Sequence, residues 1–410
     1  MKSTWGRIAA IATAITLAVG VAACGGESTG AVGSGDIRTY KIAGYLDFSG
    51  PFATRGKAAE STAKMWVENF NAGVGKENNV ALEFVSYDTG YNPAKVNEVH
   101  RRAVQDDSLI GILGYGSPSA VGIREQLPND HVPLVLSGSS YSFMKGPGWV
   151  FGPVGDPGSA WATGVKWYSD KVLNGKVNPR VALVTFDGSS GKDFISSAKS
   201  VLAGSAELVL EEYVPATSTD VGINVERIIA AAPDVVVIGT TDALQPQFFK
   251  ELRRRGFDMT KVMTAQHESL SQMMSIQVTP ADLEGIYEFT TLHYNDQDSD
   301  AYKTFAAERE KFGSPNWDGS NQQISSGILT LLDAVEQAAK AKPDGELTGD
   351  DVYAALNNGK FEAKGLLRGL EFVENDRQLG ATLGTVNQFR SGSITTVADD
   401  IPMLTTPSGG

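Results

Sequence analysis

The residues whose types could do chemistry fall into a few short constellations, and spacing rejects most of them. Gly50, Gly56, Lys57 and Ala58 outline a phosphate-binding loop, but five residues separate the glycines where four are needed. Ala58 also stands where such a loop needs a Mg²⁺-binding hydroxyl. Gly114 and Gly116 begin a dinucleotide fingerprint whose third glycine is replaced by Ser119. Asp88-Thr89-Gly90 spells an aspartic-peptidase triplet, but that chemistry needs two carboxylates sharing a proton and the triplet occurs once. It reads instead as a strand-ending turn. His267-Glu268 has no second histidine four residues on, so it is no zinc-peptidase motif. His100, His131 and His293 are isolated in the sequence and read as surface or structural residues. No serine comes with an evident base, which leaves an extracellular α/β hydrolase as the weaker alternative. The expected chemistry is binding, with no catalytic residue, cofactor or metal.

One residue at a telling position remains. The single cysteine, Cys24, follows Val21-Ala22-Ala23, so neither an intramolecular disulfide nor a cysteine-based zinc site can form. Lys2 and Arg7 make a positive start, and residues 8–21 an apolar run too short for a bilayer, which needs roughly 20 residues. The tetrad ending at Cys24 resembles the lipobox of bacterial lipoproteins. That resemblance implies a signal peptide over residues 1–23 and a diacylglyceryl group on the Cys24 thiol, enough for stable anchoring. Residues 24–37 then form the lipidated cysteine and a Gly/Ser-rich tether of the flexible kind. The chain carries 48 acidic against 35 basic residues, a net charge of -13, which argues against nucleic acid as a partner. No other apolar run approaches spanning length, so the rest is expected to be soluble and extracytoplasmic, held at the outer face of the cell membrane.

The elements that must position a site alternate between strand and helix. Residues 40–48, 80–88, 110–113 and 132–136 read as strands. Residues 56–70 read as a helix with Ala59, Ala63, Trp66 and Phe70 on one face. Asn92 caps another, with Pro93 at its first position and Val96, Val99 and Ala103 facing inward. Near residues 152–158 the order begins again. Strands follow at 180–186, 206–214, 234–239 and 261–265, and helices at 191–202, 221–232 and 246–255. Three later helices, near 299–312, 321–341 and 348–357, are expected to return over the first lobe. Two terminal strands, near 369–373 and 383–389, close the chain. This βαβα order predicts an α/β fold of two doubly wound parallel-sheet lobes. With 410 residues, two compact units are the default. Ligands of open sheets sit beyond the carboxyl ends of the strands, and domain interfaces favour small-molecule pockets.

The order of short motifs matches a family. Ile42-Ala43-Gly44, Ser49-Gly50-Pro51, Asn71-Ala72-Gly73, Asn92-Pro93-Ala94, Val132-Pro133-Leu134, Pro233-Asp234-Val235, Leu283-Glu284-Gly285 and Gly369-Leu370-Glu371-Phe372 resemble type I periplasmic binding proteins. The likeness is to the leucine/isoleucine/valine and amide-binding receptors of ABC importers, in lipoprotein form. It implies three crossovers joining a first lobe (38–155 plus about 288–375) to a second (156–287 plus about 376–400). It further implies a monomeric, non-enzymatic receptor for a small polar solute, an amino acid or related carboxylate or amide, that serves ABC permease subunits. A sensor component is the alternative. In the family, first-lobe turns hold the ligand's polar end, here Ser117 and Ser119, then Gly138, Ser139 and Ser140. Second-lobe positions map to Ser190 and Thr241 in place of aromatics, and to Gln266 in place of the acid for an ammonium, with Glu268 two residues on. A frequent tyrosine is Arg55, whose direction the sequence leaves open; facing the cleft, it would favour an anionic ligand. These departures predict a ligand other than a plain branched-chain amino acid bound in the usual way, unless Glu268 or Asp187 supplies the anion.

Cys24→Ala should leave the precursor unlipidated. Intact-mass analysis of the membrane fraction checks this, and an unmodified Cys24 in the wild type would refute it.

Overall fold

Parallel strands cannot be joined by a tight turn; each pair needs a crossover of a dozen residues or more, usually a helix. β1 (Arg38–Leu46), β2 (Val80–Asp88), β3 (Leu109–Gly114), β4 (Leu134–Leu136) and β5 (Val150–Phe151) obey this and pair in parallel, in the order β2-β1-β3-β4-β5. The computed structural model describes residues 37–50, 52–138, 141–144, 148–265, 269–276, 278–313, 316–372 and 380–404. Cys24 and the tether as far as residue 36 lie outside them. The Ala53–Ala72 helix buries Ala59, Ala63, Trp66 and Phe70, the face read from the sequence. Asn92 Oδ1 accepts from Ala94 N at 2.9 Å and starts the Pro93–Ala103 helix. The Gly319–Ala341 helix comes from far along the chain, yet Ile324, Ile328, Leu331 and Val335 share one core with Ile42 and Ile110. The chain thus returns to cover the first sheet. His100 is a structural residue: fully buried, with Nδ1 2.9 Å from Tyr45 Oη and Nε2 2.8 Å from Asp130 Oδ2.

The second sheet holds β6 (Arg180–Phe186), β7 (Glu207–Val214), β8 (Val235–Gly239), β9 (Val262–Ala265) and β10 (Tyr287–Thr290), parallel to one another. β11 (Lys360–Phe361), β12 (Arg368–Glu371) and β13 (Ala381–Arg390) extend it antiparallel, in the order β11-β12-β13-β10-β9-β8-β6-β7. A third terminal strand, β14 (Ser393–Pro402), was not read from the sequence. It returns on β13 through Ser391 and Gly392, both at positive φ, as a two-residue hairpin turn requires. The Pro157–Lys171 helix was missed as well. Trp161, Val165 and Tyr168 are buried, but so are Ser159, Thr163 and Ser169, so no polar stripe marks its period. It starts at Asp156, whose Oδ2 accepts from Ser159 N at 2.7 Å, with Pro157 at the first position.

β10 pairs within the second sheet as far as Thr290, a little past the expected change of lobe near 288. β11 and β12 hydrogen-bond towards β13, while Phe361, Leu370 and Phe372 pack into the core of the first sheet. The crossings are stitched together. Thr291 Oγ1 donates to Val154 O at 3.0 Å, and Ala381 N to Pro153 O at 2.7 Å. Gly380 fits only as glycine: a Cβ there would lie 2.3 Å from Gly152 O.

Beside this waist Glu288 is fully buried. It accepts from Leu270 N at 3.0 Å, Asn387 Nδ2 at 2.9 Å and the Tyr294 hydroxyl. Burial pushes its carboxyl up to about 7 from 4.5, although all three hydrogen bonds oppose the shift. A carboxyl raised on folding binds its proton more tightly in the native state, so stability is lost as pH rises from about 4.5 through 7. Relative to Glu288→Gln, the wild type should lose on the order of 3 kcal/mol across that window. Thermal midpoints of both proteins between about pH 4.5 and 8 test this; parallel curves would contradict it.

Candidate ligand-binding cleft

The carboxyl ends of both sheets point at one gap, and the turns that follow them carry the site. After β1, the start of the Ala53–Ala72 helix brings Phe52 and Arg55. After β2 comes Tyr91, after β3 Tyr115, Gly116 and Ser117, and after β4 Gly138. The second sheet answers with Phe186 at the end of β6 and Phe194 on the Ser189–Leu202 helix. With Gln323 these residues line a cavity of about 40 Å³. That is room for roughly two or three waters. Five of the lining groups are aromatic. Phe52 and Tyr91 lie 4.5 Å apart on one wall, and Phe186 and Phe194 6.2 Å apart on the other.

Arg55 faces the cleft. It is 3% exposed, and its Nη1 lies 3.3 Å from Tyr115 Oη. Its other edge meets Asp242 of the second lobe in a two-pronged ion pair, with Nε 2.6 Å from Oδ2 and Nη2 on Oδ1. Burial raises the Tyr115 hydroxyl to about 12, so it is neutral here. Asp47 holds Tyr91 in place, accepting from Tyr91 N and Thr89 Oγ1, both at 2.6 Å. Just before the Gly50–Ala58 loop, Asp88 Oδ1 takes the N–H groups of Phe48 and Ser49 at 2.9 and 3.1 Å. Asp88 thus acts as a turn former.

Arg55, Ser117 and Gly138 are therefore brought together. Ser119 is buried beside Gly114, behind the cavity wall. Ser190 is buried but does not line the cavity; Phe186 and Phe194 supply the second-lobe aromatic character that a serine at its position lacks. Thr241 is buried too, and its hydroxyl has no partner among the described residues. Ser139, Ser140, Gln266 and Glu268 lie outside the described residues. Asp187 is engaged by Lys192 at 3.0 Å. The residue missed from the sequence is Asp242, one place beyond Thr241. A second link spans the gap: Ser142 N and Oγ donate to Asp193 Oδ2 at 3.2 and 3.1 Å. Elsewhere His293, Asp399 and Asp400 bring ligand-type atoms within 4.8 Å of one another. Arg368 Nη1 lies 2.9 Å from each carboxylate, so the chain itself supplies the positive charge there.

The architecture has close counterparts. The chain matches the periplasmic binding protein family over residues 39–390 and belongs to it. A branched-chain amino acid ABC transporter protein from Thermus thermophilus with bound valine superposes with a TM-score of 0.76. Its identity is 16%, over 90% of this chain and 96% of that one. A substrate-binding protein of Aeropyrum pernix gives 0.74 at 16% identity, over 90% and 97%. A fatty acid substrate-binding protein from Thermomonospora curvata gives 0.73 at 18%, over 90% and 93%. At these identities the likeness is one of fold: the type I two-lobed α/β architecture. No curated protein sequence matches the chain. Among the described residues no helix is long and apolar enough to cross a membrane.

Gly56 lets the helix carrying Arg55 sit on the end of β1: a Cβ there would lie 2.1 Å from Asp47 O. Gly56→Ala should cost about 1–3 kcal/mol through overpacking, read as a lower urea midpoint. An unchanged midpoint would show that the helix start can give way.

Proposed function

We propose that this chain is the extracytoplasmic substrate-binding protein of an ABC importer, anchored through lipid on Cys24. Its ligand is a small carboxylate-bearing solute, an amino acid or related acid, held between the lobes. The observation that carries this reading is the Arg55 guanidinium, buried among aromatic rings in the inter-lobe cavity. A planar guanidinium matches a carboxylate in two-pronged fashion, and the rings suit an apolar body. The family and the neighbours support the role. Valine and a fatty acid, named for two of those neighbours, share a carboxylate on an apolar body. Ser117 and Gly138 would meet the same polar end of the ligand.

The test is a thermal-shift and calorimetric screen of the mature protein against leucine, isoleucine, valine and the matching deaminated acids and amides. A ligand at 100 times its dissociation constant adds roughly 2.7 kcal/mol of stability. Arg55→Gln should weaken a carboxylate ligand by about 10- to 150-fold, the range for losing a hydrogen bond to a charged group. Unchanged affinity in Arg55→Gln would remove Arg55 from the ligand's contacts.

A further inference from the structure

The structure assigns a divalent transition-metal site to His293, Asp399 and Asp400, where the chain crossing between the lobes meets the terminal hairpin. Atoms able to ligate a metal lie within 4.8 Å of one another there. Spacing along the sequence could not reveal it, because one ligand comes from a crossover loop and two from β14.

Exposed acids gathered on a surface are ordinary; the His293 ring is what sets this group apart. It is 3% exposed, and neither ring nitrogen has a hydrogen-bond partner among the described residues. Buried polar groups left in that state are rare. Nδ1 lies 3.4 Å from Asp399 Oδ1, long for a hydrogen bond. It matches the separation of two ligands on one tetrahedral zinc ion, about 3.4 Å for bonds of about 2.1 Å. The His293 N–H donates to Leu366 O at 2.9 Å, which holds the loop that carries the ring. Burial and the neighbouring Arg368 keep the imidazole below its ordinary 6.5, which favours the neutral form that ligates metals.

The charges around the ring are unbalanced too. Arg368 Nη1 lies 2.9 Å from Asp399 Oδ2 and from Asp400 Oδ1, and its Nη2 3.3 Å from Asp296 Oδ2. One guanidinium thus meets three carboxylates, which leaves two negative charges for a dication. Arg368 does not exclude that ion, since hydrogen bonds of this kind orient carboxylates that ligate metals. Asp399 Oδ1 also accepts from Asp400 N at 3.0 Å, and an ionised oxygen accepts more than one bond. Asp399 and Asp400 are 44% and 57% exposed, so a cation can enter from solvent and these side chains can close on the ring. An imidazole beside carboxylates suits zinc better than calcium or magnesium, which take oxygen ligands. The bound ion fastens the crossover to β14, a join that Asn295 Nδ2 already makes nearby by donating to Thr396 Oγ1 at 3.1 Å.

The test strips the mature protein with a chelator and titrates it with zinc chloride in a calorimeter. One zinc ion per chain should bind with a micromolar or tighter constant and raise the melting midpoint. His293→Gln, Asp399→Asn and Asp400→Asn should each weaken binding by at least about tenfold. His131→Ala, which removes the exposed histidine beside Asp350, should leave it unchanged. Melting curves first establish that each variant is folded; if His293→Gln is not, the two exposed aspartates decide the matter. Absence of zinc binding overturns the proposal, as does weak binding of several ions that every variant shares. Calcium bound in preference to zinc, and untouched by His293→Gln, removes His293 from the site and overturns it as well.

Discussion

Backbone polar groups buried away from water must find partners, and three passages of chain through one narrow waist leave few to choose from. Here the passages satisfy one another: Thr291 with Val154, and Ala381 with Pro153. Gly380 has no side chain because Gly152 O occupies the space one would need. Most other features of the fold depend on this arrangement. Because the crossings lie at one end of the gap, both sheets present their carboxyl ends to each other. Because β12 pairs with β13 while its Leu370 belongs to the first core, the two lobes share one sheet edge at the waist. Motion of one lobe against the other must then be absorbed by few residues, with Glu288 and its three partners beside them.

The gap that results is small, aromatic and asymmetric in charge. The first lobe brings a buried cation with its hydroxyl and ring supports already in place. The second brings an acid at the rim, Asp242, and a wall of Phe186 and Phe194. A buried guanidinium is unfavourable without a compensating anion, and Asp242 supplies one from across the gap.

Much of this was legible in the sequence. The two α/β units followed from alternation, because a strand buried on both faces must be apolar throughout, as β8 is. The face of the Ala53–Ala72 helix followed from its spacing, and the start of the Pro93–Ala103 helix from Asn92 and Pro93, because capping is a local matter. Arg55 stood out as a residue able to recognise an anion. The Pro157–Lys171 helix was not legible, since burial on nearly every side erases the period that betrays a helix. β14 was missed although Ser391-Gly392 is a hairpin signal, because the strand alternates weakly and is largely exposed.

Residue types and local spacing fix what a segment can become and what chemistry a side chain can offer. They do not fix which distant side chains meet. The direction of Arg55 and its pairing with Asp242, 187 positions away, depend on how two separately wound sheets face each other. So does the replacement of an expected aromatic at Ser190 by Phe186 and Phe194, which reach the same wall from a strand end and a helix face. Hydrophobic periodicity acts over a turn or two of chain, whereas a buried charge is satisfied by whatever group the fold carries to it, and only the tertiary structure names that group.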